Sequence, residues 1–234
     1  MIENLNVDDL SEITLNARVP KQPTGWLETN LPKSVMSGLQ SYIESAKKNP
    51  RDANSTLAGN ISKSLFLEDK NNSFFETILI SLISKFTECY PTYLRDIRIF
   101  KEDLPFCLDK FWVNFQKENE FNPPHNHTGI WSFVIWVKIP TDWKEQLALP
   151  ISANSNTPNA SNFNFQYTTM LGDIGYYTYN LGKNQEGTML FFPAKLMHTV
   201  YPFYNCDEER ISISGNICFD ISENSMRQYR SIFL

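Results

Sequence analysis

The sequence from Arg95 onward is built from short stretches rich in β-branched and aromatic residues, separated by residues that favour turns. The stretches are Ile97–Lys101, Lys110–Gln116, Trp131–Ile139, Asn162–Thr168, Ile174–Tyr179, Thr188–Phe192 and Ile211–Phe219. The turn signals are Pro123-Pro124, Gly129, Asn154–Asn159, Gly172-Asp173, Gly182 and Gly187. Many short strands with such punctuation predict a β-sandwich or jelly roll and argue against a βαβ fold. The Asn-, Ser- and Pro-rich stretch 152–162 is predicted to be a surface loop.

The residues before Arg95 have a different, helical pattern. Leu31–Asn49 and Ser73–Tyr90 carry apolar residues at helical spacing, and we interpret them as helices that support a sheet. The predicted fold class is therefore α+β, mainly β. The predicted organisation is one compact domain, with a helical or mixed scaffold (1–95), a β core (96–222) and a short C-terminal helix (223–234).

Composition excludes several classes of function. The formal charge of −5 argues against general nucleic-acid binding, which needs a basic surface. No apolar run approaches the roughly 20 residues of a membrane span, and no export signal is apparent at the N-terminus. The four cysteines form no C-x-x-C pair and are interpreted as reduced thiols. We therefore expect a cytoplasmic protein without a membrane partner.

The chain has only three histidines, and their spacing points to one site. His125 and His127 are two residues apart, so on an extended strand both side chains project from the same face. His198 lies in another β-like segment, which a jelly roll can bring to the same mouth. A single histidine is more often a satisfied surface or core residue, but this placement of all three predicts a metal site. Neutral imidazoles suit iron, zinc, copper or nickel, so these residues alone do not select the metal.

Two stretches around these histidines resemble the 2-oxoglutarate and iron(II)-dependent oxygenases, particularly small prolyl-hydroxylase-like members found in marine cyanophages and bacteria. They are FWVNFQKENEFNPPHNHTGIWSFVIWVKIP and EGTMLFFPAKLMHTVYPFYNCDEERISISGN. The resemblance implies a double-stranded β-helix (jelly roll), with His125 as the first metal ligand and His198 as the distal ligand. His127 stands where the family normally has Asp or Glu. The metal ligands implied are therefore His125, His127 and His198, with Asp173 as an alternative third ligand.

The same resemblance implies a group of residues that bind the cosubstrate. Arg210 is expected to pair with the far carboxylate of 2-oxoglutarate, since a guanidinium can bond a carboxylate through two parallel donors. Ser212 lies on the same strand face and completes an Arg-x-Ser pair. Trp112 and Asn114 are two residues apart on an earlier strand, so their side chains share one face. Asn216 is a weaker candidate for binding the cosubstrate. For the aromatic residues, packing in the core is an equal alternative.

The resemblance implies an Fe(II) enzyme that couples the oxidative decarboxylation of 2-oxoglutarate to hydroxylation of a substrate. A cupin-like three-histidine metalloenzyme that needs no 2-oxoglutarate is one alternative. The other is a non-catalytic jelly-roll module that keeps a metal for stability. The sequence does not identify the primary substrate.

Overall fold

The computed structural model describes residues 24–99 and 105–220, which form two antiparallel sheets and a few helices. The strands are β1 Leu27–Asn30, β2 Ser64–Phe66, β3 Phe106–Gln116, β4 Asn122–His125, β5 Trp131–Lys138, β6 Phe163–Thr168, β7 Ile174–Tyr179, β8 Thr188–Pro193, β9 Met197–Val200 and β10 Arg210–Phe219. The helices are α1 Lys33–Lys48, α2 Ile80–Cys89, α3 Tyr93–Asp96, α4 Trp143–Ala148 and α5 Pro150–Ala153.

The larger sheet has the order β1-β8-β5-β10-β3-β2, and the smaller sheet has the order β4-β9-β6-β7. From β3 to β10 the chain alternates between the two sheets, except at the hairpin of β6 and β7, which lies within the smaller sheet. This arrangement is a jelly roll with a helical layer, as the sequence predicted.

Side-chain alternation along β5 explains why the larger sheet is covered on both faces. Phe133 and Ile135 belong to a core shared with α1 and α2, whereas Val134 and Trp136 face the smaller sheet. All four side chains are buried. The helices therefore cover one face, and the other face is left to build a cavity between the sheets.

Both predicted helices are present. α1 lies within the first predicted range, and a π-helical turn, Phe75–Leu79, leads into α2 within the second. The structure adds that β1 pairs with β8 and β2 pairs with β3, so the segment before Arg95 supplies both edges of the larger sheet.

The predicted strand Ile97–Lys101 is wrong in its described part. Residues 97–99 form the turn after α3, where Arg98 adopts a φ of 63° and its N–H donates to the carbonyl of Arg95. A left-handed residue in this position ends a helix and does not begin a strand. The predicted loop 152–162 begins inside α5 and is irregular after it. The predicted C-terminal helix lies outside the described residues.

Among residues 24–99 and 105–220, no helix combines the length and apolar character that crossing a membrane requires.

Candidate metal centre

Pairing between β4 and β9 brings the distant histidines together. His125 is the direct antiparallel partner of His198, which is paired on its other side with Phe165 of β6. β4 is an edge strand of the smaller sheet, where Pro123 and Pro124, which have no backbone N–H, are tolerated. His127 follows the end of β4, and its backbone N–H donates to the carbonyl of Ala194 at 2.8 Å.

The three imidazoles converge on one point. Their candidate ligand atoms all lie within 4.8 Å of one another. The Nε2 atoms of His127 and His198 are 3.1 Å apart, and the rings of His125 and His198 have centroids 4.2 Å apart. Two imidazole nitrogens on a metal at about 2.1 Å, the distance known from zinc sites, lie roughly 3 Å apart when their bonds are perpendicular. The observed separation therefore fits two neighbouring ligands of one metal ion.

Backbone carbonyls fix which nitrogen of two rings is free. Nδ1 of His125 lies 2.7 Å from the carbonyl oxygen of Pro123, and Nδ1 of His198 lies 2.9 Å from that of Leu196. A carbonyl can only accept, so each Nδ1 carries the proton and each Nε2 presents a lone pair. Both rings are thus held in the tautomer that binds a metal through Nε2.

Burial keeps the imidazoles neutral. Desolvation, together with the smaller effects of positive charge on His125 and Lys110, lowers the pKa of His127 to about 3. The pKa of His198 is also well below its usual value, first because of burial. Its ring packs against Phe192 and Phe163, with centroids 5.1 and 5.7 Å away. A neutral imidazole is the form that binds a metal, so the site is ready for one at neutral pH.

The structure does not bring Asp173 to this group. Asp173 is exposed in the turn between β6 and β7, where its carbonyl accepts from Thr169. Within the described part of the chain, the metal-ligand group that contains the three histidines includes no carboxylate. The alternative in which Asp173 is the third ligand is therefore not supported, because the hairpin turn holds its side chain in solvent.

A cavity of about 200 Å³ opens beside the three histidines. Four of the five residues predicted to bind the cosubstrate line it: Trp112, Asn114, Ser212 and Asn216. They lie on β3 and β10, which are adjacent in the larger sheet and project these side chains from its inner face. The Trp112 ring also lies 5.7 Å from the His127 ring, centroid to centroid.

Two buried serines orient the asparagines of this cavity. Ser64 Oγ donates to Asn114 Oδ1, and Ser132 Oγ donates to Asn216 Oδ1, each at 2.8 Å. Because each amide oxygen accepts, the other end of each amide is left as the donor. Asn114 Nδ2 donates to Ser212 Oγ at 3.5 Å. The cavity therefore presents polar groups with defined orientations to a small ligand.

Arg210, the fifth predicted residue, does not line the cavity. It is only 2% exposed and already donates to protein acceptors. Its Nε donates to Gln116 Oε1 at 3.0 Å, and its two terminal nitrogens donate to the carbonyls of Ser161 and Tyr201, each at 2.7 Å. The geometry thus gives no support to a carboxylate pairing with Arg210, because these bonds hold the guanidinium behind the cavity wall.

Sequence reasoning missed three contributors to the cavity: Lys110, Ser64 and the loop 54–61. Lys110 could have been found, because it precedes Trp112 and Asn114 on the same alternating strand face. The loop carried no sequence signal. Its Gly59 is required by a close approach, since a Cβ there would collide with Asn122 Oδ1.

Comparison with known proteins agrees with the resemblance found in the sequence. Residues 110–216 match the family described as "Putative 2OG-Fe(II) oxygenase". No curated protein matches the sequence. Similar solved structures include a prolyl-4-hydroxylase of Pseudomonas putida, with 14% identity over 91% of this chain and 96% of that chain and a TM-score of 0.49.

Two further solved structures are similar to this chain. A prolyl hydroxylase of Trichoplax adhaerens is 10% identical over 88% of this chain and 87% of that chain, with a TM-score of 0.46. The α-ketoglutarate-dependent epimerase SnoN of nogalamycin biosynthesis is 14% identical over 83% of this chain and 77% of that chain, with a TM-score of 0.46. The matched segment 110–216 contains all three histidines of the metal group. Residues 110–216 therefore match the 2-oxoglutarate/Fe(II) oxygenase family model, and this match implies Fe(II) and 2-oxoglutarate.

Proposed function

We propose that this protein is a 2-oxoglutarate-dependent hydroxylase that holds Fe(II) through His125, His127 and His198. The observation that carries the proposal is the convergence of three neutral imidazoles, two of them with free Nε2 lone pairs, beside a polar cavity. When bound, iron and 2-oxoglutarate supply the chemistry by which O₂ hydroxylates a C–H bond, with succinate and CO₂ as co-products.

The protein residues hold the reactants in place and exclude water. Backbone acceptors orient the His125 and His198 rings, so that only small rotations are open to them. Asn114, Ser212 and Asn216 offer hydrogen bonds to the oxygens of 2-oxoglutarate from one wall of the cavity. Phe163 and Phe192 form an apolar wall around His198, which keeps bulk water from the metal.

Arg210 acts in this proposal as a positioning residue. Its bonds to Gln116, Ser161 and Tyr201 tie the start of β10 to β3 and to the segments that flank β6 and β9. Ser212 follows Arg210 by two residues on the same face of β10. Fixing Arg210 therefore fixes where Ser212 enters the cavity.

The absence of a carboxylate from the three-histidine group has an electrostatic consequence. Two histidines and one carboxylate would carry one negative charge, whereas three neutral imidazoles carry none. A divalent metal in this site therefore keeps its full charge until an anion binds. His125, His127 and His198 would hold the metal, and a dianionic cosubstrate would supply the negative charge that these three ligands lack.

Metal and cosubstrate binding test the proposal directly. Full-length protein loaded with Fe(II) under anaerobic conditions is expected to hold about one iron per chain and to bind 2-oxoglutarate with a visible absorption band. His127→Ala should lose the iron. Asn126→Ala is the matched control, because Asn126 is exposed and lies between the two ligands. Iron retained in His127→Ala would remove that residue from the ligand set.

The same preparation separates this proposal from the three-histidine alternative without a cosubstrate. That alternative is favoured by one observation, the all-histidine ligand group. It predicts iron binding without any 2-oxoglutarate band. If iron-loaded wild-type protein does not bind 2-oxoglutarate, the proposed function is overturned in favour of this alternative.

A further inference from the structure

We propose that Lys110 is the anion-binding residue of the cavity and that it receives a carboxylate beside the metal. The inference rests on the proposed function and adds to it a residue that recognises charge. The carboxylate has two possible sources, the far end of 2-oxoglutarate or an acidic primary substrate at the mouth of the cavity.

The strand register places Lys110 in the site. Lys110, Trp112 and Asn114 alternate along β3, and all three line the cavity. On β10 the direct partner of Lys110 is Asn216, whose amide is oriented by Ser132. Lys110 is half-buried, whereas Asn114 further along the strand is buried. Lys110 therefore lies toward the open end of the cavity whose wall also includes the three histidines.

The ammonium of Lys110 lacks a partner in the part of the chain that the structure describes, where no hydrogen bond or ion pair reaches it. Lys47, Lys85 and Lys138 each pair with a glutamate. An ammonium without a counter-ion in the wall of a cavity has three donors available to an incoming anion.

The charges around the cavity are all of one sign. Its lining, taken over the described residues, contains no Asp or Glu and has Lys110 as its cation. The three imidazoles are neutral, so a bound divalent metal and Lys110 together bring three positive charges. A 2-oxoglutarate dianion neutralises two of them. The site therefore attracts carboxylates, and Lys110 is the charged group available to fix one in position.

The size of the cavity sets the class of ligand. About 200 Å³ accommodates a small carboxylic acid and excludes a large folded partner. An ammonium is a point charge with three donors, so it accepts a carboxylate from several directions. The two sources of that carboxylate are distinguished by probes that carry or lack the charged group.

The first arm measures cosubstrate binding in Lys110→Met, which keeps the length of the side chain and removes its charge. Full-length protein is loaded anaerobically with Fe(II) and titrated with 2-oxoglutarate and with 2-oxopentanoate, which lacks the far carboxylate. If Lys110 holds the far carboxylate, the dissociation constant for 2-oxoglutarate rises about ten-fold or more and that for 2-oxopentanoate stays the same. Lys110→Arg should restore much of the affinity.

The second arm measures a separate anion on protein already loaded with Fe(II) and 2-oxoglutarate. N-acetylglycine is titrated by calorimetry, with N-acetylglycinamide as its neutral counterpart. If Lys110 receives an acidic substrate, the wild type binds the acid better than the amide, and Lys110→Met loses that preference while binding 2-oxoglutarate normally. The control is Lys117→Met, an exposed lysine just beyond β3, which should match the wild type in both arms.

The outcomes separate the inference from the proposed function. Lys110→Met that matches Lys117→Met with every probe overturns the role of Lys110 and leaves the three-histidine oxygenase intact. Wild-type protein that holds iron but shows no 2-oxoglutarate band overturns the proposed function, and titration of the iron-loaded protein alone with N-acetylglycine then decides whether Lys110 binds a carboxylate.

Discussion

The two ends of the inner face shared by β3 and β10 carry the same kind of charge in opposite surroundings. At one end Arg210 faces Gln116, and at the other Lys110 faces Asn216. The two pairs are six positions apart along β10, which corresponds to roughly 20 Å of extended chain. Arg210 is buried and bonded to protein acceptors, whereas Lys110 is half-buried, unbonded within the described residues and in the cavity wall.

Arg210 and Lys110 show that a positive charge on this sheet face does not by itself decide the role of the residue. Burial lowers the pKa of Arg210 to about 9, and its described acceptors are all neutral oxygens. These acceptors compensate its lost hydration and hold it in place. Lys110 donates no hydrogen bond to any of the described residues. A buried cation whose donors are all bonded to protein acceptors stabilises the fold. A cation whose donors are not bonded to the protein is available to bind a ligand.

The largest expected difference between the two ends is in stability. Arg210→Met should lower the free energy of unfolding by about 3–5 kcal/mol, because it leaves the Gln116 side chain and the carbonyls of Ser161 and Tyr201 without a donor in a buried place. Lys110→Met should change it by less than about 0.5 kcal/mol, since no bond is lost. Urea unfolding of the iron-free proteins measures both values.

The opposite result would reverse the roles assigned to Arg210 and Lys110. If Arg210→Met unfolds at the wild-type urea concentration but no longer binds 2-oxoglutarate, then Arg210 is the cosubstrate anchor that the sequence predicted. Arg210→Lys is the informative companion, because it keeps the charge and loses the fork of donors.

The histidines between the two ends predict a dependence of stability on pH. Burial lowers the pKa of His127 to about 3 and the pKa of His198 well below 6.5, so the folded iron-free protein resists protonation that the unfolded chain accepts. Stability is thus fully present above the unfolded pKa of about 6.5 and is lost as the pH falls below it. For His127 this corresponds to a loss of about 2 kcal/mol between pH 7 and pH 5, and His198 adds a loss of the same sign.

Unfolding of iron-free protein at pH 7, 6 and 5 measures this loss, and bound iron should reduce it at the upper end of the range. The variant His198→Phe supplies the control, because it removes one titrating group and should have a shallower slope than the wild type. A stability that stays level from pH 7 to pH 5 would mean that the imidazoles are not held neutral by burial.

The strands that are marked by a pattern within their own residues could be predicted from the sequence. β5, β7 and β8 were located within a residue or two because their alternation and turn signals lie in the segment itself. β1 and β2 have four and three residues, too few for a pattern, and exist because they pair with β8 and β3. Their formation depends on tertiary contacts that no local window contains.

The candidate site divides in the same way. His125 and His127 were predicted to share a site because residues two apart in an extended segment project to the same side, although His127 lies just beyond the end of β4. The roles of the two cations could not be read from the sequence. They depend on the carbonyls of Ser161 and Tyr201, which the fold brings to Arg210 and not to Lys110.

The smallest expected effects come from the two serines that orient the asparagines, one nearer each end of the face. Ser132→Ala releases Asn216 beside Lys110, and Ser64→Ala releases Asn114 on the side of Arg210. Each loses one buried hydrogen bond, about 1 kcal/mol, which corresponds to a several-fold change in affinity. Ser132→Ala should weaken the same carboxylate probe that Lys110→Met weakens, and Ser64→Ala should affect it less, as titration of the iron-loaded variants will measure. If Ser64→Ala alone weakens 2-oxoglutarate, the cosubstrate extends toward the Arg210 end, and the carboxylate at Lys110 is left to the primary substrate.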